Sequence, residues 1–225
     1  MMKKNAFRQG KEKEKTMSVS IRKLTPDQWE TYLDFFDNRA FTDGSPYAGC
    51  YCNLFYFTPE EIREKYPDPG KAGWEAMSRA IRESAAEMVR KGEIAGYFAF
   101  DGSDPVGWIH ANDRKRFVRV GEFNPAAREG RFLTHENEEK ILSVVCFEVA
   151  PPYRGQGIAR TLLERVIRDA EEEGYDAVEA YPIAREKRET LDFTGPLRLF
   201  ETLGFEILKG EDGYLTARRR FRKEG

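Results

Sequence analysis

Hydrophobic residues recur along this chain with two different periods, and the switches between them mark its elements. From Ser18 to Leu24, Val19 and Ile21 alternate with polar neighbours, which predicts a short strand. Thr25-Pro26-Asp27-Gln28 has the form of a capping box with proline at the first helical position. The helix it opens carries Trp29, Leu33 and Phe36 on one face. The stretch from Phe41 to Phe57 is aromatic, contains glycine and has no period. A second start signal, Thr58-Pro59-Glu60-Glu61, predicts a short helix that Pro67 and Pro69 terminate. A longer helix follows, with Trp74, Met77, Ile81, Ala85 and Met88 on its inner face and Gly92 past its end. Two strands, Ile94 to Phe100 and Val106 to Ala111, flank a turn at Asp101-Gly102. The polar stretch from Asn112 to Asn137 is long for a connection and reads as a binding loop or lid.

The pattern then sharpens. Ile141 to Val149 is almost continuously apolar, as expected of a strand buried on both faces. After Ala150-Pro151-Pro152-Tyr153 and a glycine turn, a helix runs from Ile158 to about Glu173, its inner face formed by Leu162, Leu163, Val166, Ile167 and Ala170. Gly174 stops it, and Tyr175 to Tyr181 is a further strand. Pro196 opens a short helix through Leu203 that Gly204 ends. The last strands, Phe205 to Lys209 and Tyr214 to Phe221, flank a turn at Glu211-Asp212-Gly213. The order is β-α-α-α-β-β-β-α-β-α-β-β: one mixed α/β domain over residues 18–225, with no internal repeat. Residues 1–17, rich in Lys and Glu, are expected to be a flexible tail.

A chain of 225 residues suits one large domain. Its 37 basic and 39 acidic side chains leave a net charge of -2, so nothing electrostatic argues for nucleic acid or an anionic membrane as partner. No apolar run is long enough to span a bilayer, and the N-terminus lacks the apolar core of a signal peptide. Cytoplasm is the expected compartment. Two histidines argue against a histidine-rich metal site, and Cys50-x-Cys52 lacks the second pair of a zinc site, so no metal is expected. Cys50, Cys52 and Cys146 are an odd set that suits a reducing compartment rather than a disulfide framework.

The chemistry concentrates at Arg154-Gly155-Gln156-Gly157-Ile158-Ala159. The first amides of a helix have no acceptor of their own, and the helix dipole adds positive charge there. Gly155 and Gly157 let backbone approach a phosphate, and Arg154 can add charge-assisted hydrogen bonds. An ordinary strand-to-helix turn that happens to hold two glycines is the structural alternative. A Walker loop needs Gly-Lys-Ser/Thr, and the dinucleotide fingerprint needs a third glycine where Ala159 stands.

The run SVVCFEVAPPYRGQGIARTLLERVIRDAEEEGYDAVEAYP resembles the acetyl-coenzyme A motif of the GNAT acetyltransferase superfamily, with Arg154, Gly157 and Ala159 in the motif positions. FETLGFEIL is similar to the family's second motif, Phe200, Gly204 and Phe205 holding its places. The resemblance implies a mixed, mostly antiparallel central sheet with flanking helices and a splay between the fourth and fifth strands. It implies acetyl-CoA as cosubstrate, with the pantetheine arm against the backbone of Phe147 and Val149. The pyrophosphate would then lie on the amides of Arg154, Gly155, Gln156, Gly157, Ile158 and Ala159. The acceptor implied is a primary amine entering past the loop after the first helix and past His110, and relatives are often homodimers; the aromatic Phe41 to Phe57 segment and the long Asn112 to Asn137 loop argue for a covered pocket that takes a small molecule. A non-catalytic acyl-CoA sensor and a protein N-acetyltransferase are the alternatives.

Two positions depart from the family. Phe200 stands where many members have an acid tyrosine, and Ser143 where some carry an acidic residue. The candidate catalytic residues are therefore Glu148, the one charge in the apolar strand and a candidate base, with Tyr181 as substitute acid and Glu179 beside it. Cys146 as a covalent nucleophile and His110 as a substrate contact are weaker candidates. Arg218-Arg219-Arg220 is expected to end a solvated strand.

Overall fold

The computed structural model describes residues 19–120, 139–183, 192–209 and 215–222. The predicted N-terminal tail, most of the polar loop and the turn at residues 211–213 lie outside these.

Four α-helices follow the first strand, β1 (Ser20–Lys23). Helix α1 (Trp29–Asn38) is entered through a 3-10 turn over Pro26–Gln28, and the capping box forms: Gln28 Oε1 accepts from Thr25 N at 3.0 Å. Helix α2 (Pro59–Lys65) starts with the second predicted box, Glu61 N donating to Thr58 Oγ1 at 3.2 Å and Thr58 N to Glu61 Oε2 at 2.7 Å. Pro69 does not merely end α2. With the Asp68 carboxylate accepting from Gly70 N, it opens a one-turn helix α3 (Pro69–Ala72), one more than the pattern predicts. Helix α4 (Trp74–Arg90) buries Met77, Ile81, Ala85 and Met88 as expected. Trp74 is the exception at 48% exposed, because it starts the helix and donates its indole Nε1 to Ala48 O at 3.4 Å.

Among the described residues the remaining strands are β2 (Gly96–Asp101), β3 (Asp104–Asp113), β4 (Ile141–Val149), β5 (Ala177–Ala180), β6 (Glu206–Lys209) and β7 (Leu215–Arg220). Helix α5 (Ile158–Glu172) joins β4 to β5, and α6 (Leu197–Thr202) precedes β6. The seven strands form one sheet in the order β1-β2-β3-β4-β5-β7-β6, antiparallel everywhere except β4–β5. That parallel pair needs the α5 crossover to bring the chain back.

β4 and β5 pair only from Ile141 with Ala177 to Val144 with Ala180. β4 then runs on to Val149 with β3 as partner, so the sheet splays as expected. A register shift against β3 falls at the same place: Val144 faces Ala111 and Cys146 faces His110, leaving Val145 as the extra residue of a bulge.

The sheet divides the core in two. One face packs against α5 and α6 through Val144, Phe147, Val178, Ala180, Leu162 and Phe200. The fully buried Leu162 and Leu163 each contribute about 1.5–3 kcal/mol. The other face packs against α1, α4 and the segment over residues 41–57 through Phe98, Trp108, Val145, Cys146 and Tyr181. Strand β7 is not solvated as its arginines suggest. Arg218 lies opposite Glu179 on β5 and is 8% exposed. Its side chain leaves water because a buried carboxylate meets it.

Candidate active site

The glycine turn is built as expected and is open. Gly155 and Gly157 hold φ of +75° and +82°, in the left-handed region that favours glycine, and Gly157 caps α5. A β-carbon at either position would meet nothing within 4 Å, so their use is conformational rather than for packing. The first helical bond runs from Thr161 N to Gly157 O. The amides of Gly157, Ile158, Ala159 and Arg160 precede it and lack intrahelical acceptors, which fits a pyrophosphate. Gln156 closes the turn through Nε2 on Pro152 O at 3.0 Å.

Arg154 is turned differently from the expectation. Its guanidinium donates to Val149 O at 2.9 Å, to Glu148 Oε1 at 3.2 Å and to the Asp43 carboxylate. It thus ties the turn to the segment after α1, and its bond holds the Asp43 carboxyl below the usual range. Glu148 sits past the splay, opposite Trp108. Burial raises its carboxyl to about 7 against the opposing pull of Arg154.

On the other side of the splay lies a buried chain. Arg218 Nε donates to Glu179 Oε1 at 2.6 Å, and Tyr181 Oη donates to Glu179 Oε2 at 3.1 Å. With that proton committed, the Ser143 hydroxyl 2.9 Å away is the donor to Tyr181. Burial, reinforced by Glu179, raises the Tyr181 phenol and keeps it protonated. Ser143 is thus half of a hydrogen bond made with a residue from across the splay.

Between these ends, three thiols meet. Cys52 Sγ lies 3.4 Å from Cys146 Sγ. Cys52 is the one non-glycine residue with positive φ among those described, at 54°. The Cys50 thiol is raised by its hydrogen bond to Cys52 and then by burial, and in Cys146 the Cys52 bond pulls downward but is outweighed by burial together with the neighbouring Cys50 and Glu148. All three stay protonated, which argues against a covalent thiolate. His110 is fully buried, and burial pushes it down to about 3. Asn112 Nδ2 donates to Tyr56 Oη at 3.1 Å, so the Tyr56 hydroxyl donates to His110 Nε2 at 2.8 Å, and the ring is a neutral packing element. Phe200 is likewise enclosed, 6.1 Å from the Phe147 ring.

The structure therefore brings Glu148, Tyr181, Glu179 and Cys146 to one face of the sheet and the glycine turn to its end. The Asp43 link to Arg154, the Arg218 partner of Glu179 and the cysteine cluster are absent from the sequence reading. Each joins residues at least 39 positions apart. A cavity of about 240 Å³ is lined by Phe36, Asp37, Phe41, Thr42, Gly49 and Tyr51, and none of Glu148, Tyr181, Glu179 or Cys146 lines it. Among the described residues, no group of three or more His, Cys, Asp or Glu side chains is placed to hold a metal ion, and no helix is long and apolar enough to cross a membrane.

The model of the acetyltransferase (GNAT) family matches residues 55–205. Among solved structures, an N-acetyltransferase from Staphylococcus aureus Mu50 is similar at 13% identity and a TM-score of 0.50, covering 90% of this chain and 98% of its own. A mosquito arylalkylamine N-acetyltransferase-like protein 5b is similar at 16% identity and a TM-score of 0.52, covering 91% and 100%. At these identities the likeness is one of fold. No curated protein matches the chain in sequence.

Proposed function

The chain belongs to the acetyltransferase (GNAT) family and is an acyltransferase, and from that premise we propose that it acetylates a primary amine of a small molecule by direct attack on acetyl-CoA. The observation that carries this reading is the pairing, within one strand-turn-helix, of an open positive-φ glycine turn with a buried carboxyl at about 7.

In this reading the amides from Arg154 to Ala159 receive the pyrophosphate, and the β4 backbone at Phe147 and Val149 lies along the pantetheine. The cosubstrate supplies the thioester. Glu148 takes a proton from the ammonium, and the neutral nitrogen then bonds to the carbonyl carbon. The Phe147 amide is the donor to the tetrahedral oxyanion. As the carbon–sulfur bond breaks, the departing thiolate takes the Tyr181 proton, and the second proton of the acylated nitrogen returns to Tyr181 as the amide forms, while Glu179 with Ser143 orients that hydroxyl. Phe200 has no proton to give, and its burial leaves the acid role to Tyr181.

Calorimetry with acetyl-CoA should show binding that a bulky residue at Gly157 weakens. A thiol-release assay over amines, polyamines and amino acids should then show turnover. Binding without release on any acceptor would mean a sensor, not a transferase.

A further inference from the structure

Four buried side-chain atoms among the described residues lack a hydrogen-bond partner: Asn53 Oδ1, Trp108 Nε1, His110 Nδ1 and Arg114 Nε. All belong to the face that holds Glu148 and Tyr181, and only Arg114 brings a full charge. Asn112 on β3 lies opposite Ser143, and Asp113 lies opposite Leu142. Arg114 comes next, in a 3-10 turn (Arg114–Arg116) held by the Asp113 carboxylate accepting from Lys115 N at 2.9 Å. It therefore stands at the Ser143–Tyr181 end of the face, where its charge acts on the Tyr181 phenol.

The nearby carboxylates are occupied. Glu179 is held by Arg218, Asp113 by the turn, and Glu139 by Arg220. Among the described residues none pairs with Arg114. An unpaired guanidinium with its Nε shut off from water costs stability, and a bound anion would relieve that cost. At the far end of the same face the balance is reversed, since Glu148 and Asp43 share the single cation Arg154. The face is thus positive beside Ser143 and negative beside Glu148.

Resting on the acetyltransferase reading above, we propose that the acceptor amine carries a carboxylate and that Arg114 receives it. The planar guanidinium fork matches a carboxylate with two parallel hydrogen bonds. Its amine then lies toward Glu148. Acceptors of amino-acid type fit this charge pattern, whereas polyamines and arylalkylamines bring a second cation or an apolar ring to Arg114. Ser143 and Glu148 are roughly 15 Å apart along the strand, at about 3.3 Å per residue, so the span calls for ω-amino acids, whose amine and carboxylate lie far apart, with α-amino acids as the short comparison.

The test compares each acid with its own amide by thiol release. Wild type should favour the acid about ten- to a hundredfold in kcat/KM, through KM. In Arg114→Gln that preference should vanish, and Arg114→Lys should restore part of it. The melting temperature of Arg114→Gln should not fall, since no native partner is lost, and Arg114→Lys serves if it does. Equal or better turnover of amides by wild type would overturn the carboxylate site and leave the transferase standing. If no acceptor turns over, the melting temperature of the CoA-saturated protein decides. A rise with the acids, absent with the amides and in Arg114→Gln, keeps the anion site while the transferase reading fails; no rise sinks the site as well.

Discussion

The two faces of the sheet are built on opposite principles. Among the described residues the face under α5 and α6 is built from apolar side chains, and at its rim Asp169 accepts from Arg165 at 2.7 Å. The face under α1 and α4 buries His110, Ser143, Glu179 and Arg218 and carries all four unpartnered polar atoms among the described residues. The first face gains free energy from each contact. The second holds groups whose desolvation costs free energy, offset only where a partner is supplied. A strand shared by both faces lets one face anchor the other. Phe147 and Val144 pack downward while Ser143, Cys146 and Glu148 present chemistry upward.

Three substitutions and one titration would break or sharpen this contrast. Arg218→Ala should have the largest effect, about 3–5 kcal/mol lost in urea unfolding, because Glu179 is left buried without its cation. Replacing both partners with apolar residues of similar volume should recover most of that loss. If the single change is nearly silent, the polar face is not held by this pair.

Glu148→Gln should lower kcat about a hundredfold or more and remove the acidic limb of the pH profile near 7. The same group has a stability signature. Its folded pKa of about 7 lies above the ordinary 4.5, so the folded state holds the proton more tightly and stability falls as pH rises from about 4.5 to about 7. Glu148→Gln should flatten that window, and a wild-type melting temperature constant across it would count against a raised Glu148.

Arg154→Ala is smaller. Acetyl-CoA affinity should drop about tenfold, and the kinetic limb should move upward in pH because the cation that opposes the Glu148 shift is gone. Smallest is His110. Held neutral by burial at about 3, it should show no titration by NMR between pH 5 and 8. Its linkage runs the other way from Glu148, with stability lost as pH falls from about 6.5 toward about 3.

The apolar face was the more legible in the sequence. Continuous hydrophobicity placed β4 over Ile141–Val149, and the helical period placed Leu162, Leu163 and Val166 inward. Trp74 misled because period alone does not register that it opens its helix. The polar face was half legible. Glu148 stood out as a lone charge, but Arg218 looked like one of three solvated arginines because its partner is 39 residues away. Arg114 carried even less signal, since an unpartnered cation is recognised only once its neighbours are known.

The single parallel joint between β4 and β5 has a consequence for assembly. Ser143 belongs to the half of the sheet that precedes α5, while Tyr181, Glu179 and Arg218 belong to the half that follows it. Neither half owns the hydrogen-bonded chain. If the chain were cut after Gly174 and the fragments expressed separately, each would lack it. Recovery of acetyl transfer on mixing would then report the docking of the two halves.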